Sequence, residues 1–122
     1  VRGGTMDQQE LQDRTRLFGL RIVRLVSMLS NDRVSDLIAR QVLKSGTSIG
    51  ANYREAIRAS SRKHFLSIVE IVLREADETL YWLEILDELQ LAQPATLKHL
   101  LTECNELVAI FCATIKTIKR NP

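Results

Sequence analysis

Basic side chains crowd the first half of the chain. Between Arg14 and Lys63 lie eleven of them, against only Asp32, Asp36 and Glu55, a local charge of +8. From Glu70 to Glu106 nine acids face Arg74 and Lys98, a local charge of −7, so the net charge of +2 conceals a polarised molecule. At about 100° per helical residue, Arg33, Arg40, Lys44, Arg54, Arg58 and Arg62 share one narrow sector, with Lys63 following. On a straight helix this is a rail about 44 Å long. Such a row is either a solvated face or a surface for phosphates. Tyr53 falls nearer the opposite, apolar side. Stacking on unpaired bases therefore has little support, and any binding is expected to be backbone-driven, tolerant of sequence and sensitive to salt.

Catalytic patterns are sparse. A di-iron bundle needs Glu three residues before His on each of two helices. Here Ser61 precedes His64 and Thr96 precedes His99 at that spacing. His99 and Glu103 are one turn apart, a spacing usual for surface contacts. Cys104 falls on an apolar stripe, a poor place for a nucleophile. No strand precedes a glycine-rich phosphate loop. The expectation is a protein without enzymatic activity, metal or cofactor.

The elements that position these residues follow from an apolar rhythm of steps of four and three. It runs through Leu11, Thr15, Phe18, Ile22, Leu25, Leu29, then Ile38, Val42, Ser45, Ile49, Asn52, Ala56. It continues through Phe65, Val69, Val72, Ala76, Thr79, Leu83, Leu86, then Leu97, Leu101, Cys104, Val108, Phe111, Ile115, Ile118. That period keeps side chains on one face of an α-helix. Asp7 with Glu10, Asn31-Asp32, Ser60-Ser61 and Pro94 are start signals. They predict helices at about 8–30, 33–59, 62–91 and 94–119. Short links make neighbours antiparallel, so the expected fold is all-α, a single up-down-up-down four-helix bundle over residues 7–120. Residues 1–6 read as a disordered native tail or an appended remnant.

No apolar run reaches the roughly 18 to 20 residues of a membrane span, and no cleavable leader follows Met6, so a cytoplasmic protein is expected. Cys104 and Cys112, about 12 Å apart along one helix, are expected to stay reduced.

Two helices carry more than one stripe needs. The third has a second row, Ile68, Ile71, Glu75, Glu78, Trp82, Ile85 and Leu89. It is either a wide core face or a surface covered by another copy, with Trp82 as anchor and arginine partners for the two glutamates. The second places Ser45, Gly46, Gly50 and Asn52 mid-helix, where such residues weaken a helix. Either they mark a tight helix crossing, or they permit close packing, with the Asn52 amide fixing register through a partner.

The run Ser45-Gly-Thr-Ser-Ile-Gly-Ala-Asn-Tyr-Arg-Glu-Ala56, then Ser61-Arg-Lys-His-Phe65, Leu73-Arg-Glu-Ala-Asp-Glu-Thr79 and Tyr81-Trp-Leu83, resembles the bacterial four-helix bundle family of 23S rRNA intervening-sequence proteins, also labelled ribosomal protein S23. The resemblance covers roughly Lys44 to Leu89. That family is similar to the accessory variability proteins of diversity-generating retroelements, pentameric barrels that bind nucleic acid and a reverse transcriptase. The resemblance implies a homopentamer with a basic surface, structured RNA as a partner, a partner enzyme such as a reverse transcriptase, and no known catalysis. The alternative is a protein-docking scaffold with no nucleic-acid role.

Overall fold

The computed structural model describes residues 7–121, so the expected tail at 1–6 lies outside the described residues. It contains α1 (Gln8–Ser27), α2 (Arg33–Ala56), α3 (Arg62–Glu88) and α4 (Pro94–Arg120), with no strand among the described residues. Each start has a local cause. Asp7 accepts from the Glu10 amide at 2.7 Å while the Glu10 carboxylate accepts from the Asp7 amide, a reciprocal capping box. Asp32 caps α2 through the Ser35 amide at 2.9 Å, and Ser61 caps α3 through the His64 amide at 3.0 Å. Pro94 occupies the first turn of α4, where its missing N–H costs nothing.

Three helices stop about one turn earlier than the start signals of the next element suggest, at Ser27, Ala56 and Glu88 instead of 30, 59 and 91. The third case has a clear geometry. Gln90 adopts φ 54°, and the Leu91 amide donates to the Leu86 carbonyl at 3.0 Å while that of Gln90 reaches Asp87. This is a Schellman closure built without the usual glycine.

The helices pack in chain order as antiparallel neighbours. Gly50 lies against Thr15 and Gly46 against Ile22, so α1 and α2 run in opposite directions. Ala76 meets Cys104, and Glu70 meets Lys119, which does the same for α3 and α4. The contact between α1 and α4 is much the thinnest of the four seams. The core holds Phe18, Ile22, Val42, Ile49, Val69, Val72, Leu83, Leu86 and Phe111, all essentially inaccessible to water. Tyr53 replaces Asn52 on the buried face of α2, its ring 5.5 Å from that of Phe111. On α4, Leu100 and Leu107 are buried, and Leu101 and Val108 are half-buried. Leu97, Cys104, Phe111 and Ile115 are buried as the stripe predicts, and at Leu101 and Val108 the preceding leucine takes the buried place.

Candidate nucleic-acid interface

The cationic face is built on α2. Arg33, Arg40, Lys44 and Arg54 are all exposed, and their sector lies opposite Ile38, Ile49 and Ala56. Because α2 ends at Ala56, the straight rail runs only from Arg33 to Arg54, about 32 Å. Arg58 is exposed in the link to α3, and Lys63 is exposed in the first turn of α3. Arg62 leaves the group altogether. It opens α3, and its guanidinium donates to the carbonyl oxygens of Ile118, at 3.5 Å, and Asn121. There it satisfies acceptors at the negative end of α4. Among the described residues, no carboxylate pairs with any of the α2 cations.

Arg14, counted with the basic half of the sequence, is committed elsewhere. It clamps Glu103 through two bonds of 2.6 and 2.8 Å and also reaches Glu106. The Glu103 hydrogen bond is the main reason its guanidinium is held even more firmly protonated than usual. This clamp ties α1 to α4 and occupies Glu103, the residue that sequence spacing offered to His99. Sequence inspection could have found it only as an Arg on one helix facing an i, i+3 acidic pair on another.

The small residues of α2 mark a close helix crossing with α1. A Cβ at Gly46 would lie 2.8 Å from Ile22 Cγ1, and one at Gly50 would lie 3.1 Å from the Thr15 carbonyl oxygen. Ser45 is buried and accepts a 2.9 Å hydrogen bond from Thr79 of α3. Asn52 does not fix register between helices as the stripe suggested. It is half-buried and donates to the Ser48 carbonyl of its own helix at 2.8 Å.

On α3, Ile68 belongs to the chain's own core, so it is not available to a partner as the second stripe implied. Ile71, Glu75, Trp82 and Ile85 are half-buried, Glu78 is exposed, and the Trp82 indole N–H donates to the Glu78 carboxylate at 3.3 Å. The large apolar residues left most open lie partly beyond that stripe. Leu89 is exposed, as are Val34 and Leu37 on the flank of α2 nearest α3. The register set by Ser45 and Thr79 places these two α2 residues beside Ile85 and Leu89. A second exposed row, Leu17, Leu20 and Val23, lies on the outer side of α1. Its spacing of three was the available signal, hidden behind the stronger core stripe. Arg16 and Arg54 flank a shallow groove of about 290 Å³ beside it, floored by Gly19, Thr47, Gly50 and Ala51.

Cys104 is fully buried, its thiol donating to the Ala76 carbonyl at 3.3 Å, and burial pushes it up to about 12, with nearby acids adding to the effect. Both cysteines are free. Among the described residues no group of three or more His, Cys, Asp or Glu side chains is placed to hold a metal ion, and no helix is long and apolar enough to cross a membrane.

Fold and face define an all-helical antiparallel bundle with one cationic helix surface. The chain belongs to the 23S rRNA-intervening sequence protein family, whose profile matches residues 7–113. It is similar to a solved structure from Bacteroides thetaiotaomicron VPI-5482, a protein of unknown function from the S23 ribosomal protein family. The two are 37% identical, with a TM-score of 0.80, over 87% of this chain and 98% of the other. Among curated proteins none matches this chain.

Proposed function

We propose that this chain is a non-enzymatic, cytoplasmic accessory protein that assembles as a ring of identical subunits, with a pentamer favoured, and binds structured RNA by its phosphate backbone. The observation that carries the reading is the row Arg33, Arg40, Lys44 and Arg54, exposed on one helix and without carboxylate partners among the described residues. An uncompensated cationic row attracts polyanions and releases their counterions on contact. The family name, which ties its members to 23S rRNA, supports RNA over other polyanions. A partner enzyme such as a reverse transcriptase would then receive RNA held on this surface.

Assembly is supported by the two separate apolar faces. One is Leu17, Leu20 and Val23 on α1; the other combines Val34 and Leu37 with Trp82, Ile85 and Leu89. Glu75 and Glu78 lie in the second face, so a basic surface of the neighbouring copy is the natural complement.

Titrating a structured RNA across a salt series tests the RNA reading. The wild type should weaken steeply as salt rises, and Arg33→Glu/Arg40→Glu/Lys44→Glu should lose at least about tenfold in affinity with a shallower salt slope. Equal binding by the triple variant, with helical content unchanged, would remove the proposal. A protein-docking scaffold predicts no RNA binding by either.

A further inference from the structure

A groove lies away from the α2 row, along the thin seam between α1 and α4. It holds about 580 Å³ and is lined by Arg21, Arg24, Leu25 and Met28 on one side and by Ala92, Gln93, Ala95, Thr96, His99 and Leu100 on the other. That volume is in the range of small-ligand sites, about 300–1,000 Å³. Its chemistry is two-sided. Leu25 and Leu100 form a buried apolar floor, Met28, Ala92 and Ala95 more open apolar walls, and Arg21 and Arg24, three residues apart on one flank, stand at the edge. No acid lines the groove, and among the described residues neither arginine has an ion-pair partner. The nearest carboxylate along α4 from His99, Glu103, is held by Arg14. The N-cap Gln93 makes no side-chain bond to the first turn of α4, so the positive field of that helix start adds to the arginines. Met28 is 82% exposed, more than any other large apolar side chain described.

A bare inorganic anion would leave the apolar floor wet. A purely apolar ligand would leave two guanidiniums without counter-charge. Both requirements are met by a compact anion joined to a flat, weakly polar body. We infer that the groove binds a nucleoside 5′-monophosphate group, with the phosphate between Arg21 and Arg24 and the base over Leu25, Met28 and Leu100 beside His99. Guanidinium planes and imidazole rings are common stacking partners for unpaired bases. This deepens the RNA reading and partly rests on it, since the same group occurs at the 5′ end of an RNA and as a free nucleotide.

The experiment compares a short oligoadenylate carrying either a 5′-phosphate or a 5′-hydroxyl, alongside calorimetric titration with AMP. The wild type should bind the phosphorylated end about tenfold more tightly, the scale of one charge-assisted contact. Arg21→Gln/Arg24→Gln should erase that ratio and the AMP signal, whereas Arg33→Glu/Arg40→Glu/Lys44→Glu should weaken both oligomers and leave the ratio intact. Arg24→Gln alone, at an exposed position, should act in the same direction and serves if the double variant loses helicity. AMP binding that depends on Arg21 and Arg24, without RNA binding, would support the groove as a free-nucleotide site and remove the RNA reading. RNA binding with no end preference and no AMP signal would overturn the groove and leave the RNA reading standing. An end preference that survives the arginine variants would also overturn it.

Discussion

Three glycines on the seam between α1 and α2 share a residue type and differ in what surrounds them. A methyl group at Gly19 would make only ordinary contacts, 3.8 Å from the Thr47 Cα. At Gly46 it would strike the buried, β-branched Ile22 at 2.8 and 2.9 Å, and that side chain has no room to move. Gly→Ala in a helix gains about 1 kcal/mol when the space is free, and overpacking a core costs about 1–3 kcal/mol. Gly19→Ala should therefore stabilise by up to about 1 kcal/mol, and Gly46→Ala should destabilise by about 1–2 kcal/mol, read from urea denaturation midpoints. The other weak helix formers of α2 are reconciled with the helix through their hydroxyls. Thr47 donates to the Leu43 carbonyl at 2.7 Å and Ser48 to the Lys44 carbonyl at 2.6 Å. Ser45 has its partner across the seam in Thr79.

At the level of elements, what was legible depended on how local the cause was. Asp7, Asp32, Ser61 and Pro94 cap or open their helices where the sequence places them, because a cap acts within one turn. All six positions of the first stripe are buried, from Leu11 to Leu29, the last just past the end of α1. The α4 wheel was harder to read, because Leu100 and Leu101, and Leu107 and Val108, are equally apolar neighbours. Only packing against the rest of the bundle selects the buried member of each pair. The same holds for the ionic clamp. Nothing near Arg14 in the chain points to Glu103, since the two meet only because α1 and α4 close the bundle. That seam carries few other contacts, so Arg14→Gln should cost about 1–3 kcal/mol, the scale of charge-assisted bonds at a mostly buried group. The loss should be visible in thermal melts, with faster amide exchange in the N-terminal half of α1 than in α2. A loss below a few tenths of a kcal/mol would show that apolar packing alone holds the seam.

For the whole molecule, the arrangement of charge and apolar surface constrains how copies meet. The cationic α2 sector and the exposed Leu17, Leu20 and Val23 belong to the first half of the chain. The acids of α3, with Trp82 and Ile85, belong to the second half and join Val34 and Leu37 on a different face. Self-complementary pairing of the α1 face would set Arg16 and Arg54 against their own copies, whereas its contact with the second face brings them to Glu75 and Glu78. Contact between one face and the other is favoured, and such head-to-tail contact generates closed rings or open filaments, not two-fold dimers. A mixing experiment separates these outcomes. Leu20→Glu should disable one face, and Leu37→Glu/Trp82→Glu the other, so each variant alone should be monomeric by light scattering. Mixed in equal amounts, they retain one intact face each and should form a heterodimer that grows no further. If either variant alone still dimerises, the contact is two-fold and the ring reading fails. If both retain the full assembly, the copies meet through neither face.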